Sequence, residues 1–201
     1  MTFNLSPIPG ELHWKNDPVD WQVGDDGSLH ITAGPQCDWF NNPTGHDAPK
    51  SNAPVALFAP PEGDFMLSAK VTVDFASDFD AGVLFVYLRD DLWAKLCFEY
   101  SPQAEPMVVS VVTRGLSDDC NSVVIDGNSV HYRIARMGQA LAMHYSLDGA
   151  DWHFVRHFSL GSLDNLQVGF LAQAPTGQGC KVAFSDIAYQ AKTLSNLRDG
   201  T

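Results

Sequence analysis

Basic residues are scarce in this chain: 201 residues carry 12 Lys and Arg against 24 Asp and Glu, a formal net charge of −12. Nucleic acids are gripped mainly by Lys and Arg neutralising phosphates, and anionic membrane surfaces attract the same groups. Neither partner suits this composition. Glutamate is rarer still. Only Glu11, Glu62, Glu99 and Glu105 occur, and the other 20 acids are Asp. Asp favours turns because its short side chain bonds the nearby backbone, so the bias predicts many tight turns and singles out each Glu. Long apolar runs are missing, and no stretch approaches the roughly 18 residues that a membrane-spanning helix requires. The first residues, MTFNLSPIPGELHW, have no basic head or apolar run and do not read as a secretory signal. The four cysteines, Cys37, Cys97, Cys120 and Cys180, form no CxxC pair, which argues against a zinc knuckle or a redox dithiol. Reduced thiols and a cytoplasmic location are the expectation.

What is present is a period of two. In MLSAKVTVDF (66–75), Leu67, Ala69, Val71, Val73 and Phe75 alternate with Ser68, Lys70, Thr72 and Asp74, the mark of a strand with one buried face. AGVLFVYLR (81–89), LWAKLCFEY (92–100) and PMVVSVVTR (106–114) follow, rich in β-branched and aromatic residues. Asp90-Asp91 joins the first two as a hairpin. Further strands are predicted at 19–23, 28–33, 54–59, 121–126, 130–137, 140–147, 152–160, 166–172 and 180–189. No window shows a 3.6-residue period. Many short strands punctuated by Gly, Asp, Asn and Pro predict an all-β sandwich or barrel, and the fold expected here is a two-layer antiparallel β-sandwich, whose stacked sheets bury the alternating faces. Residues 1–190 form one domain in this reading, and 191–201 a frayed tail. A chain of this size buries roughly 70–75% of its unfolded surface and needs no disulfide or metal to stay folded.

Several segments in order resemble one family: LHWKNDPVDWQV, CDWF followed by NAPVALF and GDFMLSAKV, AGVLFVYLRDDLWAKLCFEY, SVVTRGLSDD, and YSLDGADW. The resemblance spans about residues 10–189. The family is one of unassigned function that includes the regulation-of-enolase proteins. It implies a concanavalin A-like jelly roll and a carbohydrate-related or metabolic-regulatory setting. Lectins, glycanases and accessory domains of some xylosidases share that superfamily. The resemblance brings no reaction with it.

Glycoside hydrolysis ordinarily needs two carboxylates flanking the scissile bond. The Glu-x-Asp-x-x-Glu string of glycanases with this fold is absent. KLCFEY offers only Glu99, with Lys95, Cys97 and Glu99 on one face of the strand. HFVRH (153–157) has zinc-ligand spacing for a helix, but its flanks predict a strand, which holds the two rings too far apart for one metal. YSLDGADW (145–152) resembles the hairpin box of sialidases and reads as structural, with Asp148-Gly149 in a turn. The Asp pairs 25/26, 78/80, 90/91 and 118/119 lack an EF-hand pattern and read as turn residues, though a structural calcium stays open. No cofactor motif occurs.

The stretch QCDWFNNPTGHDAP (36–49) is different. It lies in a long loop, about 34–53, that puts two aromatics among polar groups and chain breakers, and long loops in compact domains often carry function. Aromatic faces stack on sugar rings, and Asp38, Asn42 and His46 offer partners for hydroxyls. One ring anchors the loop, and the other faces a groove shared with Trp93, Lys95 and Glu99, closed at one end by Arg114 and Asp118. The candidate ligand-binding set is therefore Asp38, Trp39, Asn42, His46, Trp93, Lys95, Glu99, Arg114 and Asp118. The expected function is a non-catalytic module binding a sugar, sugar phosphate or other metabolite. A divergent glycoside hydrolase or lyase is one alternative. The other is a protein-interaction domain, including a homo-oligomer.

Overall fold

The computed structural model describes all residues, Met1–Thr201, and contains no helix. Two antiparallel sheets make up the body. The larger has eight strands in the order β1 (Thr2–Phe3), β2 (Leu12–Lys15), β7 (Val55–Phe58), β16 (Gln167–Gln173), β9 (Ala81–Arg89), β10 (Leu92–Tyr100), β11 (Pro106–Arg114) and β12 (Leu116–Val124). The smaller has seven: β15 (His153–Phe158), β14 (Ala140–Ser146), β13 (Ser129–Met137), β8 (Phe65–Asp74), β17 (Cys180–Gln190), β4 (Leu29–Ala33) and β3 (Asp20–Val23). A two-stranded ribbon, β5 (Trp39–Phe40) and β6 (Lys50–Ser51), belongs to neither sheet. This is the expected two-layer antiparallel β-sandwich of the concanavalin A-like type.

The alternation places the core. Leu67, Ala69, Val71 and Val73 of β8 are buried, while Ser68, Lys70 and Thr72 are only partly so. From the other layer Leu84 and Val86 of β9 and Leu92, Ala94, Leu96 and Phe98 of β10 are buried as well. A Cβ on Gly82 would lie 2.5 Å from the Val71 side chain and 2.6 Å from that of Val182. Only glycine fits there without displacing a valine. Tyr132 crosses the core, and its hydroxyl donates to the Cys97 carbonyl at 2.5 Å, so the one polar atom of that ring is satisfied.

β9 and β10 break the alternation, because six successive residues of β9 and seven of β10 are buried. Both faces of these central strands are covered. The inner face meets the second sheet, and loop 34–53 lies across the outer face. Such double coverage suits the continuous apolar runs GVLFV and LWAKLCF.

Two expectations need correction. The turn after β11 is tight, with Gly115 alone between Arg114 and Leu116 at φ +79°, so β12 starts at Leu116 rather than near 121. Residues 191–201 do not fray. Leu194 is buried against Met66, Ala135 and Ala142. The segment is held further by His144 Nε2 at 2.7 Å from the Leu197 carbonyl, and by Arg133 donating to the Gly200 carbonyl. An apolar anchor and two side-chain bonds to its backbone outweigh the entropy of the last turns. HFVRH is a strand as expected, with His153 and His157 both exposed. The YSLDGADW turn is built on Asp148, which accepts from Ala150 N and Asp151 N at 2.8 and 2.9 Å; these bonds hold its carboxyl down at about 2.

Candidate functional site

The outer face of the eight-stranded sheet is organised in rows set by strand register. Glu99 pairs with Ala81, and Ala81 with Gln173. Glu99 and Gln173 therefore sit two strand spacings apart, about 9.6 Å, with only the methyl group of Ala81 between them. In a second row, Lys95 pairs with Val111, and Val111 with Asp119. Side chains two apart on a strand share a face, so Lys95, Glu99, Gln173 and Asp119 all rise on the same side.

Loop 34–53 supplies the roof and a wall. Its Trp39 is fully buried, with Nε1 donating to the Ala53 carbonyl at 2.9 Å and the ring packed among Phe85, Tyr87 and Trp93. Asn41 fastens the loop to the β11–β12 hairpin. Its Nδ2 donates to the Gly115 carbonyl at 2.8 Å, and its N–H to the Ser117 hydroxyl at 2.9 Å. Asp38 accepts from Trp39 N at 2.7 Å and from Lys95 Nζ at 3.2 Å.

These walls line a partly open cavity of about 230 Å³. Asp38, Lys95, Glu99, Asp119 and Gln173 form its polar side, and Phe40, Phe79, Val111 and Pro175 its apolar side, with Lys50 and Thr176 at the mouth. The polar groups are linked in a relay. Lys95 Nζ donates to Gln173 Oε1 at 2.9 Å, and Gln173 Nε2 donates to the Phe79 carbonyl at 3.0 Å and to Glu99 Oε2 at 3.4 Å. Phe79 is held at φ +68° with its ring partly exposed. A bulky residue in that region is strained, and such strain clusters at ligand sites.

Burial sets the charges. Glu99 is only partly screened from solvent, yet loss of water around its carboxyl pushes it up to about 8; Asp119 and Asp38 add to the effect, and Lys95 opposes it. Glu99 is thus largely protonated at neutral pH. Burial also raises the Asp119 carboxyl, although that residue stands exposed at the rim. Lys95 is pulled down by burial, but Asp38 and its other neighbours outweigh this and its net direction is up, so it stays an ammonium. No group of three or more His, Cys, Asp or Glu side chains is arranged to hold a metal ion.

The cavity gathers Asp38, Lys95 and Glu99 from the expected set and leaves the others outside. Trp39 and Trp93 are fully buried beneath the loop and cannot reach a ligand. Their aromatic partners fill the outer face, so the loop's anchoring ring is Trp39, and the ring at the cavity is Phe40. Asn42 closes a local turn, donating to Asp47 at 2.6 Å and accepting from Thr44 N at 3.0 Å, and His46 is exposed beyond it. Arg114 bonds the Ser159 carbonyl at the opposite end of β10–β11. Asp118 is paired with Arg156 at 2.8 Å. It stands opposite Val112, hence on the other face of the sheet, and its neighbour Asp119 takes the cavity position. Sequence could have found Asp119. Gly115 as the hairpin turn fixes the register of 111 with 119. Gln173, Phe79 and Lys50 come from distant loops and strand ends and left no such signal.

A second groove of about 250 Å³ lies on the outer face of the other sheet, between Asp20, Gln22, Thr32, Thr72 and Lys181. It is open, and none of these side chains is buried. It lacks the hydrogen-bonded relay of buried polar side chains found in the first.

A family model described as protein of unknown function, DUF1349, matches residues 14–192. The chain belongs to the DUF1349 family. The match covers every cavity residue and all of both sheets except β1 and the start of β2. The DUF1349 chain is 29% identical over 137 residues to regulation of enolase protein 1 of Saccharomyces cerevisiae, covering 67% of this chain and 68% of that one. Among solved structures, a functionally unknown protein from Saccharomyces cerevisiae superposes with a TM-score of 0.80 at 23% identity, over 90% of this chain and 96% of that one. The GH43 protein BlXynB of Bacillus licheniformis gives 0.71 at 16% identity, over 90% of this chain but 36% of that one. An alginate lyase from Klebsiella pneumoniae gives 0.57 at 11%, over 86% and 84%. At these identities the likeness to the GH43 protein and the alginate lyase is one of fold alone.

Proposed function

We propose that this protein is a binding module of regulatory type whose ligand is a single sugar unit or a polyhydroxylated metabolite of similar size. The observation that carries the reading is the cavity of about 230 Å³, in which Phe40 and Phe79 share the walls with a hydrogen-bonding relay of Lys95, Gln173 and Glu99. Sugar rings combine apolar C–H faces with hydroxyls, so aromatic and polar walls facing one another match them. A phosphorylated sugar fits less well, because the buried ammonium is already engaged by Asp38 and two further carboxyls line the space. The regulatory setting is supported by the name of the yeast relative. Four free cysteines, three of them buried, support a reducing compartment such as the cytoplasm. Calorimetric titration against a panel of neutral and amino mono- and disaccharides tests the reading. Binding in the millimolar range or tighter is expected, weakened at least tenfold by Phe79→Ala with the circular dichroism unchanged. Silence across the panel would overturn it.

A second reading, a hydrolase or lyase, is favoured by one observation. Glu99, protonated near neutrality, shares its cavity with a second carboxyl, Asp119. An acid and a second carboxyl facing one space are the parts that glycosidic cleavage uses. Release of new reducing ends or unsaturated product from an oligosaccharide panel, lost in Glu99→Gln, would establish it.

A further inference from the structure

Residues 194–201 lie across the outer face of the seven-stranded sheet, over β13, β14 and the start of β15, away from the sugar cavity on the other sheet. Beneath them His144 is fully buried. Its Nε2 lies 2.7 Å from the Leu197 carbonyl. A carbonyl only accepts, so Nε2 carries the proton and Nδ1 is bare. Nδ1 is buried and meets no hydrogen-bond partner. Arg133 stands directly opposite His144 in the β13–β14 register. Its guanidinium lies 3.7 Å from the centre of the Trp152 ring and donates to the Gly200 carbonyl. Gly200 packs so closely that a Cβ there would come within 2.7 Å of Trp152 and 3.3 Å of His144. Arg198 lies over the Phe154 ring at 4.4 Å.

We propose that segment 194–201 is an acid-released strap: a proton taken up at His144 Nδ1 detaches it from the sheet while the sandwich stays folded. The incoming proton forms an N–H that has no acceptor, and it places an imidazolium opposite the Arg133 guanidinium. Like charges directly opposite on neighbouring strands repel, and a buried charge without a partner is costly. Lifting the strap relieves both by giving the ring to water. The sandwich is spared because Leu194 packs into a small cluster with Met66, Ala135 and Ala142, separate from the main core. Release bares that cluster and the Trp152 and Phe154 rings.

The charged and titratable groups around His144 give the direction. From β13 come Arg133 and, two residues along, His131. The strap brings Arg198 and Asp199, and β15 only the Phe154 ring, 5.9 Å away. Asp199 is the one acid among them, and its carboxylate already accepts from Asn196 and Thr201 within the strap. Burial, with Arg133 behind it, holds the imidazole below its ordinary 6.5; the Leu197 bond and Asp199 offset only part of this. The strapped form therefore binds the proton more weakly than the released form. The strap is at full strength above pH 6.5 and weakens as pH falls below it, by at most about tenfold per unit.

Amide hydrogen exchange of the whole chain at pH 7.5 and 5.0, corrected for its intrinsic pH dependence, tests this. The amides to follow are Ser195, Asn196 and Gly200, which bond within the strap and lose those bonds once so short a segment is free. Opening is expected to rise about threefold or more on acidification, with the amides of β8 and β10 no less protected. His144→Gln, whose amide still donates to the Leu197 carbonyl but takes up no proton, should remove the rise. In the parent chain, NMR titration should place His144 below the exposed His153 and His157, and it decides alone if the variant does not fold. A smaller rise, a rise shared by β8 and β10, a rise that persists in folded His144→Gln, or a His144 that titrates with its exposed counterparts overturns the strap. None of these outcomes bears on the sugar site.

Discussion

Glu99 titrates out of step with an ordinary carboxyl, and this has a consequence for stability. Its folded value of about 8 lies above the usual 4.5, so between those limits the folded state holds the proton more tightly than the unfolded chain. Stability from this group is full below pH 4.5 and declines as pH rises through 8, with a slope of at most about 1.4 kcal/mol per unit. Glu99→Gln should flatten denaturation midpoints measured from pH 5 to 9 and leave the variant more stable than the parent at the alkaline end. Unchanged curvature would show that the carboxyl is not held above its usual range in the folded protein. Lys95 tests the opposite sign. Removing it in Lys95→Met strands the Asp38 carboxylate, and breaking a buried pair from one side costs about 3–5 kcal/mol. Urea unfolding should show that loss, and Asp38→Asn in the same chain should recover part of it, because an amide oxygen still accepts from Trp39 N without a charge.

At the scale of elements, the site depends on which segments cross the outer face of the eight-stranded sheet. The β11–β12 hairpin was legible as two strands, yet its register hinged on Gly115. Shifting β12 by one residue exchanges Asp118 for Asp119 at the cavity, since successive side chains point to opposite faces. Loop 34–53 is legible from its mixture of aromatics and breakers, but the bonds that fasten Asn41 to the sheet run to Gly115 and Ser117, partners up to 76 residues away. Nothing local in QCDWFNN chooses between Trp39 and Phe40 as the inward ring. The segment after β17 makes a similar point. Leu194→Ala should lower Tm by a few degrees, at about 2–4 °C per kcal/mol for a domain of this size, and the midpoint in differential scanning calorimetry reads it. A variant with an unchanged midpoint would mean that Leu194 is not anchored against Met66, Ala135 and Ala142.

At the scale of the molecule, the sandwich leaves Cys120 exposed and keeps Cys37, Cys97 and Cys180 buried. Burial holds the three inner thiols above their ordinary range, and only the thiolate reacts. One fast-reacting thiol is expected with a chromogenic disulfide reagent in native buffer, and all four in denaturant. Two or more fast thiols in native buffer would contradict the packing of loop 34–53 over the sheet.

The apolar rhythm of MLSAKVTVDF and its neighbours determined, by itself, that the chain forms two packed layers of antiparallel strands, because a period of two leaves one face of each strand to be hidden from water. It also marked Lys95 and Glu99 as polar groups sharing one strand face. The cavity was decided by tertiary structure alone. Gln173 reaches Glu99 over the methyl of Ala81 only because β16, β9 and β10 are neighbours, and Trp39 turns inward only because Phe85, Tyr87 and Trp93 await it there. Register and strand order join residues far apart in sequence, and a linear pattern of apolar and polar positions holds no record of which distant strand lies alongside.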